Sequence, residues 1–426
     1  MNDDVDVIAE MLTTRPLTES EEATLGRVEQ FVLRRDFTAQ RRPRLALEIL
    51  LAGIVAAVAI TFIVALTRHT LTTPPPAHHS PVPTATASAG PPTPSPSARV
   101  GPPIPLRIAQ QASLGSHSAN AIAVSPGIVW VAVQGAVYGD SGRLLRIDAS
   151  TARQTASWVV GGDPEAISAA GAYVWVVNGF GDGSLVLPDQ NTVMQFNATT
   201  GRLVHLYRMT SPTAVIANGS SALVVSLPTA NGPSEVHLLT AGRSSLVATV
   251  PGSLIGPSIS AESAVAVCSG QVYLGVSELS ASGAQSLNIY VLRLNGGPVR
   301  TLATIQGAWW PAMTCDQSSL FAFDGAGDPP LVVNTADGRV RTLPEGAGAS
   351  AVAFESGSIW QLHNAYGPPG SGGYLTALDP NTGLVSSTRL TIPGTVDSEA
   401  FLLAQGTPGL WVVGGNETLL LHVVFG

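Results

Sequence analysis

One short phrase recurs seven times and sets what this chain can fold into. In 166–177, Ala-Ile-Ser-Ala-Ala-Gly-Ala-Tyr-Val-Trp-Val-Val, a short apolar strand leads through small residues into a second strand carrying an aromatic. Ala121 is answered nine residues later by Trp130, Ala166 by Trp175, Ala214 by Leu223, Ala264 by Tyr273, Ala312 by Phe321 and Ala351 by Trp360. Ala400 and Trp411 form the seventh copy, with a longer turn. The spacing of roughly 40–50 residues is that of a four-stranded propeller blade and too long for most helical solenoids. A further strand follows each aromatic one, and several end in turns such as Asn197-Ala-Thr-Thr-Gly and Asp379-Pro-Asn-Thr-Gly. There Asx bonds back onto its own turn and Gly accepts positive φ. The expectation is all-β: a seven-bladed β-propeller of four-stranded blades over 104–426. Seven-fold recurrence makes Trp130, Trp175, Trp360 and Trp411 core between blades.

The ends of the repeat predict how the ring closes. After Trp411 only 418–425 remains, one strand too few, and a spare strand at 105–114 precedes the first repeat. Pairing the two would remove both exposed edges.

Ahead of the propeller lie three segments. Residues 1–44 are polar and helix-capable, with a capping-box match at Thr18-Glu19-Ser20-Glu21. Within 45–68, the run 49–66 carries no charge and is long enough to cross a bilayer. Arg34, Arg35, Arg41, Arg42 and Arg44 crowd its N-terminal side against Arg68 beyond it, which predicts a signal anchor with a cytoplasmic N-terminus. A cleaved signal peptide would show a small-residue site after the apolar run, where Thr67-Arg68-His69 stands instead. Residues 69–103 are rich in Pro, Ser and Thr and read as a linker without a core. The expected location is the cell membrane, single-pass, with the propeller extracytoplasmic. A net charge of −8 excludes a general nucleic-acid binder, which would carry a basic stripe.

The phrases Val159-Val160-Gly161-Gly162-Asp163-Pro164-Glu165-Ala166-Ile167 and Gly171-Ala172-Tyr173-Val174-Trp175-Val176, with the Asp379-Pro-Asn-Thr-Gly type of turn, resemble the YVTN/NHL-type β-propeller repeat of bacterial extracytoplasmic proteins. The resemblance implies a propeller in a cell-surface setting, and binding or sensing as its role. The alternative is a propeller enzyme of the lyase or quinoprotein kind. Streptogramin lyases are similar propellers that use a histidine with metal-binding carboxylates. Here His117, His205, His237, His363 and His422 fall at different points of the repeat.

In a four-stranded blade, the loops into the innermost strand share a face with the loops between second and third strands. Asn120, Glu165, Thr213, Ser263, Pro311, Ser350 and Glu399 stand just before the inner strands. Asp163 with Glu165, and Asp397 with Glu399, add carboxylate pairs in blades that flank the first. They read either as oxygen ligands for Ca²⁺ or Mg²⁺ or as ordinary turn chemistry. Tyr138, Phe180, His363 and Tyr366 lie in long Gly-rich loops, and Trp309-Trp310 joins the same face. These aromatics suit a protein, peptide or glycan ligand, or else cover the blade tops.

Cys268 and Cys315 occupy equivalent inner-strand positions of blades four and five. Outside the membrane such a pair invites a disulfide. Equivalent positions on neighbouring blades should lie about 7–9 Å apart, while bridged Cα atoms rarely exceed about 7 Å. The bridge is therefore left open by the sequence.

Overall fold

Each repeat becomes one four-stranded antiparallel sheet, and there are seven. The computed structural model describes residues 103–425 apart from 116, 136–139, 180–188, 229–231, 253–263, 280–284, 308–310, 325–328, 345–348, 364–372, 394–401, 407–408 and 415–416. The expected tail 1–44, membrane anchor 45–68 and nearly all of the linker 69–103 lie outside the described residues.

Blades one to six take their strands in sequence order, over 119–159, 164–208, 212–250, 265–306, 311–342 and 349–391. The seventh is composite. Leu403–Gln405, Leu410–Gly414 and Leu419–Phe425 supply three strands, and Leu106–Ser113 from the start of the domain supplies the outermost. Its register runs from Leu106 opposite Phe425 to Ser113 opposite Leu419. The spare strand thus fills the deficit, as its position predicts.

The second strand of each blade is largely apolar because both of its faces are covered. Ile128–Val133 (IVWVAV) and Tyr173–Asn178 (YVWVVN) are buried in all but their first residue. Their β-branched and aromatic residues suit a pleated surface packed on two sides. The fourth strands lie at the rim and are open to solvent, as in Arg153–Val159 and Leu203–Arg208.

Seven apolar clusters fill the seven inter-blade gaps, each around one repeat residue. Trp130 packs with Ile167 and Val174 of the next blade, and Trp175 with Val215 and Ala222. Leu223 meets Val272, Tyr273 meets Met313, and Phe321 meets Ile359. Trp360 meets Val412, and Trp411 meets Val129 across the closure. The four tryptophans are almost wholly buried, which places them in the core.

First and second strands join through two-residue turns at 126–127, 171–172, 219–220, 269–270 and 356–357. Ser356 and Gly357 both have positive φ, as a type I′ hairpin requires. In blades one, two, five and six the third and fourth strands join through Asx turns. The side chains of Asp148, Asn197, Asn334 and Asp379 each accept backbone amides two and three residues onward. All of these connections lie on one face of the ring, called here the turn face. The opposite, loop face carries the starts of the inner strands.

Candidate functional site

The loop face departs from seven-fold regularity, and the departure is concentrated in blades one and two. In blades one, two, three and six the pairing of first and second strands slips once, beside Asn120, Glu165, Thr213 and Ser350. A bulge of this kind re-aims the side chain of the extra residue. In blades three and six the re-aimed side chain is short and satisfies its own sheet. Thr213 Oγ1 donates to the Val225 carbonyl at 3.2 Å, and Ser350 Oγ to the Leu362 carbonyl at 2.9 Å. In blades one and two the bulged residue is longer: Asn120 reaches beyond its sheet, and Glu165 lies against Gly179.

Asn120 Nδ2 donates to Asp163 Oδ1 at 3.3 Å, and Gln134 Nε2 donates to the same oxygen at 3.0 Å. The Asp163 carbonyl accepts the Gly179 amide at 2.8 Å. One His117 ring nitrogen lies 3.2 Å from the Gln134 carbonyl oxygen. Beneath, the fully buried Asn178 accepts the Gly161 amide at 2.9 Å and donates to Thr192 Oγ1 at 3.0 Å. Thr192 Oγ1 donates in turn to the Asp189 carbonyl. Two glycines make room. A Cβ on Gly179 would fall 1.9 Å from the Glu165 carboxylate, and one on Gly161 would fall 2.5 Å from the Asn178 side chain. The result is a half-buried cluster of carboxylate and amide groups at the seam between the first two blades.

Of the proposed ion ligands, Asp163 and Glu165 lie together in this cluster, with the Asp163 carboxylate accepting two side-chain amides. Asp397 and Glu399 lie outside the described residues. Among the described residues, no group of three or more His, Cys, Asp or Glu side chains could hold a metal ion. Tyr138, Phe180, Trp309, Trp310 and Tyr366 are likewise outside the described residues. His363 stands as the last residue of a second strand rather than out on a loop. It is buried, stacks on Tyr374 with ring centroids 4.3 Å apart, and brings Nε2 within 3.0 Å of Thr376 Oγ1. Arg389 lies over the Tyr374 ring, 3.7 Å from its centroid. Gln134 and Asn178 carry no motif that would single them out in the sequence.

No family model matches the chain, and no curated protein does. Solved structures do resemble it. BamB from Moraxella catarrhalis is 13% identical, with a TM-score of 0.46 over 72% of this chain and 85% of its own. A europium-containing methanol dehydrogenase is 10% identical, with a TM-score of 0.44 over 75% of this chain and 81% of its own. Sqt1 from Saccharomyces cerevisiae is 10% identical, with a TM-score of 0.43 over 76% of this chain and 99% of its own. The likeness is one of fold alone.

On the turn face, a disulfide joins Cys268 and Cys315, whose Cα atoms are 6.2 Å apart. Each is the last residue of its inner strand, Val265–Cys268 and Pro311–Cys315.

Proposed function

We propose that this chain is a membrane-anchored, extracytoplasmic binding module of the YVTN/NHL propeller type, whose loop face receives a protein, peptide or glycan. One observation carries the reading: the turn-face connections are short, two to six residues except for 379–389 of blade six, while the loop face varies from blade to blade. Spans between second and third strands run from 415–418 in blade seven to 134–142, 364–373 and 179–191 in blades one, six and two. The three long spans belong to one arc of the ring, with blade seven between six and one. A rigid scaffold presenting unequal loops on one side is how binding surfaces are commonly made. Tyr138, Phe180 and Tyr366 fall within those spans and supply anchors for a partner.

The anchor at 45–68 and its arginine flank support an extracytoplasmic propeller. Protease added to intact cells should then release a fragment of about the size of 104–426, cut within the Pro-rich linker. Release only after permeabilisation would reverse the orientation. Binding is tested by thermal shift of the detergent-solubilised full chain with muropeptides, glycans and divalent cations, since a ligand stabilises by mass action. A stabilising ligand should lose its effect in a Tyr138→Ala, Phe180→Ala, Tyr366→Ala variant that melts as the wild type does without ligand. If the variant responds equally, the long loops are not the site. A rise in melting temperature with Ca²⁺ or Mg²⁺ that Glu165→Gln with Glu399→Gln abolishes would assign the carboxylate pairs to an ion. No rise would leave them to turn chemistry.

A further inference from the structure

The two faces of the ring differ in charge. Six blades place an arginine at or near the beginning of the outermost strand, where it meets the turn face: Arg107, Arg153, Arg202, Arg243, Arg300 and Arg341. Their registers confirm the position, with Arg153 opposite Asp148, Arg243 opposite Thr240, Arg300 opposite Val291 and Arg107 opposite Val424. All six are exposed. The same face carries fewer acids than arginines. Asp148, Asp316 and Asp379 accept the amides of their own turns, Glu355 is buried, and Asp337 pairs with Arg339 at 3.3 Å. On the loop face the balance reverses, with Asp140, Asp163, Glu165, Glu235, Glu278 and Glu417 against Arg143, Arg208 and Arg389.

Apolar exposure follows the arginines. Of the eight large exposed hydrophobics among the described residues, Leu203, Val204, Val267, Val340 and Val385 lie toward the turn face. Leu203 and Val204 follow Arg202, and Val340 stands between Arg339 and Arg341. Exposed arginine beside exposed aliphatic residues suits the boundary layer of a bilayer. The guanidinium pairs with lipid phosphate while the aliphatic group and the arginine stem enter the headgroup region.

The chain also arrives on this face. Leu106 is at the turn-face end of its strand, and just before it Ile104 donates to the Ser386 carbonyl at 2.8 Å, next to Val385. The first described residues thus enter the domain on the arginine-bearing side. We propose that the turn face docks on the anionic surface of the bilayer that holds the chain, leaving the acidic loop face outward. The proposal takes the anchor from the reading above, though such a face would bind an anionic bilayer even without it. A tether of the length of 69–103, on the order of 100 Å if extended, would confine the domain near the surface, so that a contact too weak for a free protein would be populated.

The test adds the full chain, with detergent removal, to vesicles of phosphatidylcholine alone or with one third phosphatidylglycerol. Flotation and amide hydrogen exchange are then measured together. Docking predicts flotation with both compositions and several-fold slower exchange at 202–204 and 339–341 on the anionic vesicles only. High salt should reverse that protection. Arg153→Gln with Arg202→Gln and Arg243→Gln should abolish it, whereas Arg208→Gln, at the loop-face end of its strand, should not. Flotation with both compositions but no difference in exchange would overturn docking and keep the anchor. Salt-sensitive flotation with anionic vesicles alone would overturn the anchor and keep docking, and flotation with neither would overturn both. If soluble heparin protects these segments and anionic vesicles do not, the face belongs to a polymeric anion and the proposal is wrong.

Discussion

Gly201 stands at φ +67°, and a Cβ added there would come within 1.7 Å of the Trp158 indole, which belongs to the preceding blade. Gly127 has a similar φ, +74°, with nothing within 4 Å of the added atom. The two positions separate backbone strain from steric conflict. Gly127→Ala should lower the unfolding free energy by about 1 kcal/mol, the left-handed penalty alone. Gly201→Ala should lose roughly 3 kcal/mol or more, because the indole or the turn must shift. Urea unfolding of both variants checks this, and equal losses would remove Trp158 from the argument. Asp379 offers a second test. Partial burial pushes its carboxyl up, but bonds from the Thr382 and Asn381 amides and the Thr382 hydroxyl outweigh burial and hold it below the usual value. Asp148 is lowered by the Ser150 and Thr151 hydroxyls and amides. A depressed folded-state pKa gives stability that is present above the unfolded value of about 3.9 and is lost as pH falls through the folded one. Blades two and five use Asn197 and Asn334 at the same point, so Asp148→Asn with Asp379→Asn keeps the turn and removes the titration. The urea midpoint of this double variant should therefore fall less steeply below about pH 4 than that of the wild type. These turns are legible in the sequence because every partner lies within three residues. The Asp163 cluster is not, since its donors Asn120 and Gln134 are 43 and 29 residues away.

Among the strands, Leu106–Ser113 has the most consequence for its length, because it completes a blade whose other three strands lie at the far end of the chain. Deleting 105–114 should expose an edge of blade seven and cost much of the domain's thermal stability, while trimming 72–97 should leave melting unchanged. Equal melting of the two deletions would contradict this closure. Counting strands is enough to foresee the pairing, since one strand is surplus before the first repeat and one is missing after the last. The disulfide between blades four and five is less legible. Ideal ring spacing of about 7–9 Å disfavours it. The observed 6.2 Å reflects cysteines that end their strands, where the chain is leaving the sheet and can lean toward its neighbour. The bridge spans a sequence separation of 47, so it should restrain the unfolded chain by roughly 4 kcal/mol. Cys268→Ser with Cys315→Ser should lower stability accordingly. Two alkylatable thiols in denatured, non-reduced protein would show that no bridge forms.

At the scale of the whole domain, the fold is legible because one large residue per repeat seeds one inter-blade cluster, and seven seeds at blade spacing leave few other architectures. Face-dependent properties are harder to read. Arg153, Arg202, Arg243 and Arg300 look unremarkable along the sequence, and they gather on one face only once strand direction and register are known. The closing strand has a mechanical consequence of its own. Load passing from the linker to a partner gripped on the loop face would run along the axis of Leu106–Ser113. Its antiparallel hydrogen bonds to Leu419–Phe425 lie across that axis and would resist together, in shear. Load between the linker and the C-terminus would instead open the same pairs singly, starting at Leu106 and Phe425. In single-molecule pulling, the first geometry should need several-fold more force to rupture than the second, and equal forces would dismiss the distinction. The ring is thus sewn shut against any pull that enters at Leu106 and leaves through the loop face, since a whole row of bonds must yield before the blade can open.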